Sequence, residues 1–94
     1  MTLLNDIDKE MQAAIKKFPT WPSSMLDAFA IVQEEIGEAQ KDILQLHYEP
    51  IKHKTCETIR IECIQSICML LRFIKSLDNN QYKIYDKRNE QHEQ

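Results

Sequence analysis

Residues 30–44 read AIVQEEIGEAQKDIL. In and around this stretch, Met25, Phe29, Val32, Ile36, Ala39, Ile43 and Leu46 recur with a 4-3-4-3-4-3 spacing. A helix completes a turn in 3.6 residues, so this alternation lines up one apolar stripe. Kept over three heptads, it predicts packing against other helices. The same helix carries Glu34, Glu35 and Glu38 beside its stripe.

Outward from this segment the pattern repeats. Helix two opens at Ser24, with Asp27 three residues on in a capping-box-like pattern, and runs to about Tyr48. Pro50 ends it, and EPIKHK forms a basic loop. Helix one is predicted over Leu3 to Lys17, capped by Thr2, with Leu4, Ile7, Met11, Ala14 and Phe18 as its stripe. Pro19 stops it, and PTWPSS makes a stiff loop, since each proline fixes its own backbone and restricts the residue before it. Helix three is predicted from near Thr55 to near Leu77, ended by DNN. The chain therefore reads as all-α: three long helices in an antiparallel bundle, with a helical domain over residues 1–80. Residues 81–94 form a polar tail with room for a short helix.

Composition narrows the possibilities. A chain of 94 residues holds one core and buries only about 60–65% of its unfolded surface. One glycine in the whole chain argues against hairpin-rich β folds, which use Gly-containing turns freely. A net charge of -3 opposes a nucleic-acid backbone as partner. No apolar run approaches the roughly 20 residues that a membrane span requires. The N-terminus lacks a basic-then-apolar leader pattern. Cys56, Cys63 and Cys68 lie in one helical segment, which reads as reduced thiols and a cytoplasmic protein.

Helix three is apolar nearly all round from Cys63 to Ile74. Such a helix needs cover on more than one side. Two further helices of one chain do not supply it, so the sequence predicts self-association.

On a helical wheel Glu35 and Glu38 lie about 60° apart, and Asp42 continues their face. Thr58, Glu62, Gln65 and Ser66 form a polar strip on helix three. Antiparallel packing would set Glu35 and Glu38 opposite Glu62 and Gln65. Carboxylates gathered in a partly desolvated groove repel one another unless a cation neutralises them. Hard oxygen donors select Mg²⁺, Mn²⁺ or Ca²⁺. An E-x-x-E pair alone is also what a solvated helix face looks like.

VQEEIGEAQ resembles the E-E-x-x-E helix of the MazG-like all-α nucleoside triphosphate pyrophosphohydrolases. IECIQSICMLLRFI resembles the partner helix that supplies E-x-x-D in that family, and the 23 residues between Glu38 and Glu62 suit it. The series from FPTWPSS to the R-x-E-x-I-Q-x-x-x-M-x-L-R-F pattern is similar to the short single-domain branch, over roughly residues 15 to 75. The resemblance implies Mg²⁺-dependent cleavage of a nucleoside triphosphate between its α- and β-phosphates, by a homodimer or homotetramer. It implies Glu35, Glu38 and Glu62 as metal ligands. The fourth position, an aspartate in much of the family, is Gln65, which offers a carbonyl oxygen and no charge.

Glu34 is the candidate base for the attacking water, although the wheel turns it away from the other acids. Lys52, His53, Lys54, Arg60 and Arg72 are candidate cations for the leaving pyrophosphate, Arg72 foremost because it sits within the apolar run. Trp21 is a candidate for stacking on a base, although a loop tryptophan more often caps the core. Two other classes compete. One is a non-catalytic helical interaction protein whose acids set pairing register. The other, a di-iron carboxylate bundle, needs E-x-x-H pairs that this sequence lacks.

Overall fold

The computed structural model describes residues 2–49 and 53–82. Its elements are α1 (Leu3–Lys17), α2 (Met25–Tyr48) and α3 (Cys56–Asp78), and the described residues contain no strand. Lys52 and the short helix expected in the tail lie outside the described residues.

Each helix begins where a side chain can take over orphan backbone N–H groups. The Thr2 hydroxyl accepts from the Asn5 N–H at 3.1 Å. The Ser24 hydroxyl accepts from Asp27 N–H at 3.4 Å. At α3 the box is reciprocal: Thr55 Oγ1 accepts from Thr58 N–H at 3.2 Å, and Thr58 Oγ1 accepts from Thr55 N–H at 3.0 Å.

The end of α3 is equally defined. Asn80 takes a left-handed conformation (φ 56°). Asn80 N–H then donates to Leu77 O, and Gln81 N–H to Ser76 O, each at 3.1 Å. This Schellman closure reverses the chain. It carries Gln81 and Tyr82 back onto the loop before α2, where Gln81 Nε2 donates to Pro22 O at 2.7 Å and the Tyr82 hydroxyl to the same oxygen at 3.4 Å. Tyr82 is 4% exposed and packs beside Phe73, so it belongs to the core.

α3 is the central element. α2 runs antiparallel to it, with Phe29 edge-on to Phe73 at one end and Lys54 against Asp42 at the other. α1 runs along it in the same direction, through an Arg60–Asp6 ion pair at 2.8 Å and a hydrogen bond from Arg72 to Phe18 O at 2.9 Å. Among the described residues α1 and α2 pack on α3 and not on each other. One chain is thus an open layer of three helices with a cleft over α3.

The stripes differ from expectation. On α2 the buried residues are Ala28, Val32, Ala39 and Asp42. Phe29, Ile36 and Ile43 from the expected stripe are 38%, 45% and 44% exposed. Val32 and Ala39 of that stripe are buried, and the buried arc is shifted toward Ala28 and Asp42, which leaves these three larger residues on the flank. On α1, Leu4 and Phe18 are exposed and no residue is fully buried. On α3, Ile64 and Cys68 are buried, whereas Ile67, Leu70, Leu71 and Ile74 remain more than a third exposed. The apolar girth of helix three is therefore left partly uncovered within one chain.

Candidate functional site

The rotation of α2 decides where its acids lie. Ala28, Val32 and Ala39 are buried, and Glu35 and Asp42, on the Ala28 side of the helix, turn inward with them. Glu35 is half-buried and Asp42 is 3% exposed. Glu38 lies one helical turn from each and stays exposed.

The acids form one electrostatic seam. Burial raises the Glu35 carboxyl above its ordinary range, and the neighbouring charges of Glu62, Glu34, Glu38 and Glu10 push it further. Burial also raises Glu62, helped by Asp42 and Glu38 and opposed by Lys54. Glu35, Glu38 and Glu62, which the sequence singles out on two separate helices, thus fall within electrostatic reach of one another. They do not close on a point: among the described residues no three His, Cys, Asp or Glu side chains are grouped tightly enough to hold one metal ion. As a donor set they are hard oxygens whose repulsion a cation would relieve, and in that chemical sense they fit Mg²⁺.

Lys54 already serves part of the seam. Its ammonium lies 3.3 Å from a carboxylate oxygen of Asp42. His53, just before it, holds a left-handed backbone (φ 58°). Arg60 is engaged by Asp6 on α1. Two of the cations expected to face pyrophosphate are therefore paired with acids of the chain.

Next to the seam, the cleft between α1 and α2 forms a groove of about 610 Å³. Gln65 and Met69 of α3 lie in its floor, Ala13 and Ala14 of α1 and Glu34 and Glu35 of α2 in its sides, and Trp21 and Arg72 at its end. That size falls within the range of small-ligand clefts. Glu34, which the wheel turns away, shares the groove with Glu35 because the missing α1–α2 contact leaves that flank of α2 open. Lys17 and Glu10 on α1 also reach it. Neither is marked by its pattern, since α1 carries charges on every side of a thin stripe.

Arg72 organises the loop end. One guanidinium nitrogen donates to Phe18 O at 2.9 Å and to Thr20 O at 3.4 Å, and the guanidinium carbon stands 4.8 Å from the centre of the Trp21 ring. Burial lowers the pKa of Arg72, but a guanidinium starts too high to lose its charge. With Gln81 and Tyr82 on Pro22 O, the carbonyls of residues 18, 20 and 22 are all held from α3 and the turn that follows it. The Trp21 indole Nε1–H, in contrast, is shut off from solvent and has no acceptor among the described residues. A buried donor left unpaired costs about 1–3 kcal/mol.

No protein-family model matches the chain, and neither a curated protein nor a solved structure matches it. No helix among the described residues is long and apolar enough to cross a membrane.

Proposed function

We propose that the chain is a Mg²⁺-dependent nucleoside triphosphate pyrophosphohydrolase that releases pyrophosphate and a (deoxy)nucleoside monophosphate. The observation that carries this reading is the acid seam of Glu35, Glu38 and Glu62, whose Glu35 end lines a ligand-sized groove. The MazG-like resemblance of the two helices agrees with it.

In this reading Glu35, Glu38 and Glu62 hold Mg²⁺, or Mn²⁺, with Gln65 offering its amide oxygen from the groove floor. The bound metal supplies charge compensation for the polyphosphate and lowers the pKa of an attacking water. The chain's own part is to place groups around that event. Without a cation the seam would expel a triphosphate by simple repulsion. Glu34, exposed at the groove wall, accepts the proton of the attacking water. Arg72 and Lys17 present positive charge to the same groove; Arg72 does so while it fixes the loop that carries Trp21. Lys54 and Arg60 lie further along α3 and reach the polyphosphate only by leaving their carboxylate partners.

The assembly belongs to the same proposal. The exposed Phe29, Ile36 and Ile43 of α2 and Ile67, Leu70, Leu71 and Ile74 of α3 are the faces a second copy covers, completing an antiparallel bundle as a homodimer or homotetramer. Light scattering at micromolar concentration is expected to give at least a dimer; a well-folded monomer there removes this part. Three free cysteines suit a reducing compartment, the cytoplasm.

That no three acids close on a point among the described residues favours a second reading, a non-catalytic helical interaction protein in which the acids only set register. Pyrophosphate release from a panel of nucleoside triphosphates, with and without Mg²⁺, separates the two. The enzyme reading expects metal-dependent release from at least one of them, and the interaction protein expects none.

A further inference from the structure

We propose that two copies of the chain meet along the outward stripe of α3, Cys63, Ile67, Leu70, Ile74 and Leu77, each stripe packed on its own copy, and that this pairing leaves the groove of each copy open on the far side. This deepens the self-association in the reading above and rests on it.

The five residues are spaced 4-3-4-3, the alternation by which paired helices seat their side chains into one another. α3 does not use it within the chain: its buried residues are Ile64, Cys68 and Ser76. Cys63 is exposed, and Ile67, Leu70, Ile74 and Leu77 are 37–44% exposed. α3 therefore carries a second apolar stripe beyond the side that α1 and α2 cover. One step before Cys63 the same spacing falls on Arg60, which is held by Asp6, so the apolar seam starts at Cys63.

Charge and size decide what covers the stripe. It contains no charged residue, so laying it on its own copy brings no like charges together. Phe29, Ile36 and Ile43 of α2 widen the face; the buried Val32 and Ala39 separate them from Ile31, Glu34 and Glu35 in the groove wall. The seven large side chains, each leaving roughly 75 Å² uncovered, give about 500 Å² per copy, the apolar share of a standard interface of about 800 Å² a side.

The groove lies on the other side. Gln65, Met69 and Arg72 of its floor are roughly 150° around α3 from the stripe, and no stripe residue lines it. Each copy therefore keeps a groove built from its own three helices, and the partner adds no wall to it.

The test places a charge on each side of the layer and measures mass by light scattering at micromolar concentration. Leu70→Glu sets two carboxylates face to face in the pair, so association is expected to weaken about a hundredfold or more. Its helical circular dichroism should be kept, because Leu70 lies outside the core of one chain. Ala13→Lys puts its charge in the groove and should leave the mass of the parent unchanged. Leu70 is the middle residue of the stripe and meets its own copy whichever way the two helices run. Leu70→Cys, in a Cys56→Ser, Cys63→Ser background that keeps only the buried Cys68, is therefore expected to form a disulfide-linked dimer with diamide, which takes up the two thiol hydrogens. The background alone should not. Association that survives Leu70→Glu, dissociation by Ala13→Lys instead, or no cross-link through position 70 overturns the pairing. Should Leu70→Glu fail to fold, the cross-link decides. If the parent associates yet shows neither Leu70 effect, this pairing fails alone and self-association stands. If the parent is a well-folded monomer, both fail, and pyrophosphate release is judged on its own assay.

Discussion

Lys54 and Asp42 meet at 3.3 Å across the α2–α3 interface, with the Asp42 side chain 4% exposed and that of Lys54 33%. Removing one charge of such a pair leaves the other buried and uncompensated, whereas removing both is far milder. Lys54→Met is expected to destabilise the protein by about 2–3 kcal/mol in urea unfolding, less than a fully buried pair because the lysine keeps some contact with water. Adding Asp42→Asn should recover most of that loss. Additive losses in the double variant would mean that the two side chains act independently.

Glu35 allows a signed pH prediction. Its carboxyl is raised above the ordinary value of 4.5 by burial first and by Glu62 next. A carboxyl with a raised folded-state pKa binds its proton more tightly when folded. Its stability cost is therefore absent below about pH 4.5, appears as pH rises through the window up to the raised value, and is complete above it. Glu35→Gln should raise the melting temperature of the metal-free protein at pH 7 by about 2–6 °C, from roughly 0.5–1 kcal/mol of relieved repulsion. At pH 4 parent and variant should melt together, as far as this group is concerned. Thermal melts across pH 4 to 8 check both the sign and the window.

Gly37 sits inside α2 between the acids, and a Cβ there would meet nothing within 4 Å. Its φ is not positive. Gly37→Ala should stabilise the single chain by about 0.5–1 kcal/mol through helix propensity alone. A loss of stability that grows with protein concentration would instead show that a second copy approaches α2 closely at this point.

The helix limits were legible because they are set locally: Thr2, Ser24 and Thr55 cap the three helices, and the DNN segment supplies the left-handed Asn80. The rotation of α2 was not. Val32 and Ala39 of the heptad stripe are buried, but the buried arc also takes in Ala28 and Asp42, which a hydrophobic pattern discounts, and leaves Phe29, Ile36 and Ile43 on the flank. The candidate acids were readable as a pattern on two helices, and their shared electrostatics follow from antiparallel packing of those helices. The engagement of Lys54 with Asp42, Arg60 with Asp6 and Arg72 with the loop carbonyls was not readable, because ion pairs between elements depend on rotation and register. Nor was the role of Tyr82, which reads as tail and is brought into the core by the Schellman closure at Asn80.

The measurement that tests the account most directly is pyrophosphate release from the nucleoside triphosphate panel by the parent, Glu62→Gln and Gln65→Asp, with Mg²⁺ affinity measured beside each rate. Glu62 stands where the repulsion of Asp42 and Glu38 converges, so losing its charge removes both charge compensation for a metal and the orientation of it. The account predicts Mg²⁺-dependent release by the parent and a fall of about a hundredfold or more in Glu62→Gln. In Gln65→Asp, Mg²⁺ should bind more tightly through an added carboxylate at the groove floor. Equal background release from all three proteins across the panel, with or without Mg²⁺, would contradict it and leave the helical interaction protein as the better description.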